Sequence, residues 1–268
     1  MNATQELARL LALRAVREAD AALLGAYRSR FSGNGLDFSE MADYDGGEAR
    51  RIHWPLSMRK GRLLVSRYQE ERETPMLFGV DASSSMLSSD SAREALLQVT
   101  ALLSACALHH NDPMGAWLVA SGIDQRLPNG YGMEQATAIL HAILDLPRHR
   151  QTTRLAALCR RLLQLPIRRT RMVLISDFLD TGYEQSLKTL ALKHDLVACM
   201  FRHPKLSIPA GAELEESESG ALLQATGTAQ EAVVPEHLLE LGIRPVILSP
   251  GCDVARTLIL ALKCHKSG

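Results

Sequence analysis

The chain has 268 residues, of which 46% are hydrophobic and 22% charged, and its 30 basic residues balance its 30 acidic ones. This length and composition are typical of a folded globular protein and exclude a disordered or collagen-like chain. The zero net charge provides no overall attraction to nucleic acid or anionic lipid, so neither is expected as a partner.

Hydrophobic runs and cysteine usage indicate the compartment. No stretch of eighteen consecutive apolar residues occurs, and residues 1–8 (MNATQELA) lack the basic and apolar regions of a secretory signal. The five cysteines are widely spaced, with no C-x-x-C pair, which is the usage of buried thiols in a reducing compartment. We therefore expect a cytoplasmic protein without membrane insertion.

The N-terminal part of the chain is less regular than the rest. Apolar residues recur at helical spacing over residues 4–26, which predicts one amphipathic helix with Leu7 and Leu10 on its apolar face. Gly, Asp, Asn and Ser over residues 32–47 predict a loop. Residues 50–72 are predicted to form short strands in a small N-terminal β-rich region. We expect Trp54 to lie in the core of this region. The basic residues near Trp54 are expected on a solvated face or in ion pairs.

After Pro75, apolar strands alternate with helices. Strands are predicted at residues 76–80 (MLFGV), 114–120, 172–175 (MVLI), 196–201 and 246–248, with a surface hairpin at 213–224. Helices are predicted at residues 91–110, 136–144, 153–162, 183–192 and 254–262; the first is opened by a capping box of Ser91 and Glu94.

This alternation predicts a three-layer α/β fold, with a mostly parallel sheet covered by helices on both faces. We expect two regions in the chain. Residues 1–74 would form the N-terminal helix and a small β-rich elaboration, and residues 75–268 would form the α/β domain.

Two of the predicted buried strands end in an aspartate, Asp81 in one and Asp177 in the other. In open parallel sheets, ligands bind beyond the carboxyl ends of the strands, where the strand order reverses. Asp81 opens the pattern D-A-S-S-S, which places Asp81, Ser83 and Ser85 at alternating positions of one loop. Carboxylate and hydroxyl oxygens are hard ligands that favour Mg²⁺ over zinc. The sequence therefore predicts a Mg²⁺ site.

These residues resemble the metal-ion-dependent adhesion site of von Willebrand factor A domains, whose pattern is D-x-S-x-S, then a threonine, then an aspartate after a later strand. More narrowly, the chain resembles the bacterial family called domain of unknown function 58. The resemblance covers residues 33–227, through the motifs GNGLDF at 33–38, YDGGEARRIHW at 44–54, YQEER at 68–72, DASSSM at 81–86 and LISDF at 174–178.

The resemblance implies a set of metal ligands for Mg²⁺ or Mn²⁺. The first loop would supply Asp81, Ser83 and Ser85, the second loop Thr153, and the third loop Asp177. Thr152 is an alternative to Thr153, because the Gly-Gly that usually precedes the threonine is replaced by Arg and Gln at 150–151.

The resemblance also implies a function. Members of the family are similar to partners of MoxR-type AAA+ ATPases, with which they act in assembling or remodelling other proteins. An adhesion site leaves one metal position open for a carboxylate of a partner, so the implied function is non-enzymatic protein binding. In the N-terminal region, Gly-Gly-Glu at 46–48 and Ile-His-Trp at 52–54 stand where the family usually has Gly-Asp-Asp and Ile-Asp-Trp.

Two other functions stay open. One is a metal-dependent hydrolase or phosphotransferase that uses the Asp81 and Asp177 pocket, and the other is a structural domain with an unoccupied site. The sequence has no P-loop and no nucleophile elbow, so ATP hydrolysis would belong to a partner. Asp124 and Asp180 are expected to be solvated loop charges.

Overall fold

The computed structural model describes residues 3–31, 41–44, 54–66, 75–120, 122–147, 155–166, 169–202, 213–215, 222–224, 236–241, 243 and 245–264. The chain divides into two compact units, one made of Met1–Phe31 with Thr74–Gly268, and the other of Ser32–Glu73. The expected boundary at residue 74 grouped the N-terminal helix with the elaboration. In the structure that helical segment belongs instead to the larger unit.

Two helices stand where the sequence predicted one over residues 4–26. They are α1 (Ala3–Glu18) and α2 (Ala21–Phe31). The Asp20 carboxylate accepts a 2.8 Å hydrogen bond from the Leu23 amide and so caps the start of α2. The sequence did not indicate the break between α1 and α2, because apolar residues continue at helical spacing across it. Asp20 was the available signal, since Asp is a favoured capping residue.

Helix α1 packs through small side chains. Its buried residues are Ala8, Ala12 and Ala15. Leu7 and Leu10, which were expected on the packed face, are exposed. That expectation is wrong because alanines let a helix approach its neighbours closely, and the larger leucines then lie on the outer side.

The smaller unit contains β1 (Met41–Asp43), α3 (Trp54–Lys60) and β2 (Leu64–Ser66). The two strands pair antiparallel. The short strands expected over residues 50–72 are confirmed at β2 but not at α3. Pro55 lies in the first turn of α3, where its missing amide leaves no helix hydrogen bond unmade. Trp54 is exposed, so its expected place in a core is wrong.

A six-stranded sheet organises the larger unit. Its strands are β3 (Met76–Asp81), β4 (Met114–Ala120), β5 (Ile123–Gly130), β6 (Arg171–Ser176), β7 (Asp195–Phe201) and, after the hairpin of β8 (Glu213–Glu215) and β9 (Leu222–Gln224), β10 (Val246–Leu248). The spatial order is β10-β7-β6-β3-β4-β5. All neighbours are parallel except β5, which pairs antiparallel with β4.

Helices cover both faces of this sheet. The remaining ones are α4 (Ser84–Ser88), α5 (Asp90–His109), α6 (Gly132–Leu144), α7 (Leu155–Leu163), α8 (Glu184–Lys193), α9 (Glu236–Glu240) and α10 (Val254–Cys264). Apolar residues of α1, α2, α5, α6 and α10 form the core on one face. Those of α7, α8 and α9 form a second core on the other. The expected three-layer α/β fold is confirmed.

Candidate metal centre

The candidate ligands lie at the carboxyl ends of two adjacent strands. Strand β3 ends at Asp81, and β6 ends at Ser176, directly before Asp177. From β3 the chain continues to β4 on one side, and β6 later pairs with the other side of β3. The strand order therefore reverses between β3 and β6, and such a switch point is where open α/β sheets bind ligands.

Asp81 is fully buried, and hydrogen bonds from Ser176 and Ser83 hold its carboxylate. The Ser176 hydroxyl donates to Asp81 Oδ2 at 2.6 Å, and the Ser83 amide donates to Asp81 Oδ1 at 3.0 Å. Both donors are uncharged. They fix the orientation of the carboxylate but do not neutralise it.

The pKa of Asp81 is raised by its surroundings. Burial is the main cause that raises the pKa of Asp81 from its ordinary 3.8 to about 7, and the nearby charge of Asp177 raises it as well. Hydrogen bonds from Ser176 and Ser83 act in the opposite direction. Asp177 therefore lies close enough to Asp81 for its charge to add to the effect of burial, and both oppose ionisation of Asp81.

Two serine hydroxyls lie next to this acidic pair. The Ser83 and Ser85 hydroxyls are 3.0 Å apart and share a hydrogen bond. Ser83 is buried and Ser85 is partly exposed. The structure therefore brings together Asp81, Ser83, Ser85 and Asp177, which are four of the five ligands that the resemblance implies.

The sequence matches the family described as "Protein of unknown function DUF58" over residues 40–233. This range is well over half of the 268 residues. The chain belongs to the DUF58 family. The structure of conserved hypothetical protein BatB from Bacteroides thetaiotaomicron is similar at 16% sequence identity and a TM-score of 0.46, covering 71% of this DUF58 chain and 98% of that chain. No curated protein matches the sequence.

The donor set of this DUF58 protein fits a hard cation. Among the described residues, no group of three or more His, Cys, Asp or Glu could hold a metal ion. A site here would therefore depend on hydroxyl oxygens beside two carboxylates, which are ligands of Mg²⁺ or Mn²⁺ rather than of zinc. Thr153 and its alternative Thr152 lie outside the described residues.

Ser176 was missed by the sequence analysis. Val80 pairs with Ile175 in the register of β3 and β6, so the next residues along, Asp81 and Ser176, come side by side. In a parallel pair this places their side chains on the same face of the sheet. The sequence letters S-D at the end of the second buried strand were the available signal, but the strand register was needed to interpret them.

The turn after β6 holds its residues in fixed positions. Phe178 adopts a positive φ of 57°, which is uncommon outside glycine. Its buried ring packs edge-on against Tyr183, with 5.8 Å between ring centroids, and its carbonyl accepts a 3.4 Å hydrogen bond from the Tyr183 hydroxyl. The Leu179 amide then donates to Asp177 Oδ1 at 3.2 Å. This turn orients the Asp177 carboxylate.

Asp124 and Asp180 were expected to be solvated loop charges; Asp124 is exposed as expected but lies on a strand, and both aspartates make specific contacts. Asp124 on β5 forms a 2.9 Å ion pair with Arg161 of α7 and accepts a 2.7 Å hydrogen bond from Trp117 Nε1. Asp180 is partly buried and accepts a 3.4 Å hydrogen bond from the Ala156 amide in the first turn of α7. Asp180 therefore links the turn after β6 to the start of α7.

Proposed function

We propose that this DUF58 protein is a non-enzymatic binding module of the von Willebrand factor A kind, which holds Mg²⁺ or Mn²⁺ and binds a carboxylate of a partner protein. The observation that carries the proposal is the meeting of Asp81 and Asp177 at the switch point of the sheet, beside the hydroxyls of Ser83 and Ser85. Carboxylates that repel one another in a buried position are stabilised by a divalent cation.

Each residue would have a separate task. Asp81, Ser83, Ser85 and Asp177 would hold the cation, together with Thr153 from the second loop. When bound, the cation supplies a position that accepts a carboxylate oxygen. Ser176 orients Asp81 through its 2.6 Å hydrogen bond.

The proposed partner is a MoxR-type AAA+ ATPase or its client protein, in assembly or remodelling. Membership of the DUF58 family and the sequence resemblance described above support this part of the proposal. Within the described residues, no helix is long and apolar enough to span a membrane.

The alternative function is a metal-dependent hydrolase or phosphotransferase at the same acidic pair. One observation favours it: the pKa of Asp81 is raised to about 7, and such a value suits a general acid or base at neutral pH. A phosphoester assay tests it directly. Mg²⁺-dependent turnover that disappears in Asp81→Ala would replace the binding proposal by the enzymatic one.

The binding proposal is tested with the purified MoxR-type ATPase of the same organism. We expect the wild-type chain to bind it in Mg²⁺, and chelator to abolish the binding. Asp177→Asn should weaken binding more than tenfold, since it removes a charged metal ligand. Asp124→Asn is the matched control, because Asp124 lies on β5 and is paired with Arg161 of α7; it should bind as wild type.

Direct titration with Mn²⁺ separates the metal from the partner. Wild type and Asp124→Asn should bind one Mn²⁺ with equal affinity, and Asp177→Asn should bind it much more weakly. Equal capture of the ATPase in Mg²⁺ and in chelator would overturn the metal-dependent mechanism and favour the structural role.

A further inference from the structure

The outer face of α1 carries an apolar pair between two opposite charges. Leu10 and Leu13 are 58% and 41% exposed, and Glu6 and Arg17 are exposed beyond them toward the two ends of the helix. The intervals between these four residues are 4, 3 and 4. That spacing keeps them on one line along a helix, as in the contact line of a two-helix coiled coil. We call these four residues the α1 seam.

The opposite face of α1 is already packed. Ala8, Ala12 and Ala15 are buried, and the helix contacts α5 and α6. These alanines lie about 100° or more around the helix from the seam, so the seam points away from the core. Leu7 and Val16, both exposed, flank it on either side. Together with the two leucines of the seam, they form an exposed apolar patch of four side chains on α1, and contiguous apolar patches often mark interaction sites.

The order of residues in the seam is self-complementary. Consider a second copy of α1 that packs antiparallel against the seam, related by a two-fold axis that passes between residues 11 and 12. Leu10 of one copy then contacts Leu13 of the other. Glu6 then meets Arg17 of the second copy, and both contacts occur twice. A parallel arrangement would instead place Glu6 against Glu6 and Arg17 against Arg17. Two-fold interfaces require this kind of self-complementary patch.

We propose that the α1 seam is a two-fold, antiparallel interface between two copies of this chain. Two exposed basic residues, Arg9 and Arg14, flank the seam. Arg14 is already paired with Glu18 at 2.7 Å, so it adds little repulsion between the copies. The interface uses residues of α1 alone, and the proposal does not depend on the metal centre.

The small area of the α1 seam predicts that the two copies associate weakly. A single pair of helices of this length buries less than the roughly 1,000 Å² that stable specific interfaces exceed. The dimer should therefore be weak, with a dissociation constant on the order of 10 µM. It would coexist with the monomer at moderate protein concentration.

Sedimentation of the full chain tests the proposal. Between about 1 and 200 µM, the weight-average mass should rise from the 29.4 kDa of the monomer toward twice that value. Leu10→Glu should keep the chain monomeric over this range. Leu192→Glu is the matched control, since Leu192 is an 80% exposed leucine on α8; it should associate as wild type. Circular dichroism verifies that each variant is folded.

A charge-reversal series identifies the orientation. Glu6→Arg and Arg17→Glu should each weaken association about tenfold, because each variant places like charges together twice in the dimer. The double variant restores both opposite-charge contacts and should regain the wild-type affinity within about twofold. A wild-type chain that stays monomeric at the highest concentration would overturn the proposal. So would unchanged association of Leu10→Glu, or a double variant weaker than either single one.

Discussion

The Ser176 hydroxyl donates a 2.6 Å hydrogen bond to the Asp81 carboxylate, joining the ends of the two strands between which the strand order reverses. Removing it in Ser176→Ala should lower the affinity for Mn²⁺ about 10- to 100-fold, which is the usual effect of losing a group that orients a metal ligand. Calorimetric titration of the purified protein measures this affinity.

A second buried serine provides the control for that experiment. Ser104 lies on α5, and within the part of the chain that the structure describes its hydroxyl has no hydrogen-bond partner. Ser104→Ala should therefore leave the Mn²⁺ affinity unchanged. Equal Mn²⁺ affinities of Ser176→Ala and Ser104→Ala would show that Ser176 does not orient Asp81 for metal binding.

The threonine of the second loop can be assigned by substitution. We expect Thr153→Ala to weaken Mg²⁺ binding by about tenfold or more, since it removes one oxygen that contacts the cation directly or through water. Thr152→Ala should have no such effect. The measurement is the Mg²⁺-induced rise in melting temperature, and the opposite ranking of the two variants would assign the role to Thr152.

The metal-free protein should lose stability as the pH rises from 4 to 7. The pKa of Asp81 is about 7 in the folded chain against an ordinary 3.8, so the folded state holds the proton more tightly than the unfolded state. The resulting stabilisation is complete below about pH 4 and is lost as the pH rises toward 7. Its upper bound is about 4 kcal/mol.

Urea unfolding in chelator at several pH values measures this loss. Asp81→Asn cannot ionise at this position and should show a flatter pH profile than wild type, whereas Asp124→Asn should keep the wild-type slope. Parallel profiles for wild type and Asp81→Asn would contradict the prediction.

Asp112 joins α2 to the amino ends of the strands. It accepts a 2.9 Å hydrogen bond from the Tyr27 hydroxyl and forms an ion pair with Arg171, the first residue of β6. Asp112→Ala should lower the free energy of unfolding by about 3–5 kcal/mol, because it leaves the largely buried Arg171 charge without its partner. Tyr27→Phe should lower it by only about 1 kcal/mol. Urea unfolding at pH 7 measures the free energy of unfolding of both variants. A larger loss in Tyr27→Phe than in Asp112→Ala would contradict the proposed importance of the Asp112–Arg171 pair.

The central strands were predictable because their sequences are apolar at every position. The predicted runs at 76–80 and 172–175 match β3 and β6 to within one residue at each end. A strand covered by helices on both faces cannot alternate apolar and polar residues, so a continuous run identifies it. The aspartates that end these runs were located by the same signal.

Edges and caps were less predictable. Strand β5 (Ile123–Gly130) was missed because it lies at the edge of the sheet and is mostly exposed and polar. Helix α5 begins at Asp90 with Ser89 as its cap, where the sequence indicated Ser91; the Ser89 hydroxyl accepts a 3.4 Å hydrogen bond from the Ala92 amide. Several nearby serines satisfy the same capping preference, so tertiary packing selects among them.

The contact between Ser176 and Asp81 could not be predicted from the sequence for a different reason. Their separation in sequence is 95 residues, and their meeting depends on the register of two parallel strands. That register is set by packing on both faces of the whole sheet. Local sequence patterns therefore locate the acidic loops but do not determine which neighbour supports each carboxylate.

Strands β3 and β6 each have another strand on both sides. Their backbone amides should be among the slowest in the chain to exchange with deuterium, because interior strands open only when the whole sheet does. Local fraying therefore cannot separate Asp81 from Asp177. Any ligand that offsets their repulsion would slow exchange throughout the sheet, far from the atoms it touches.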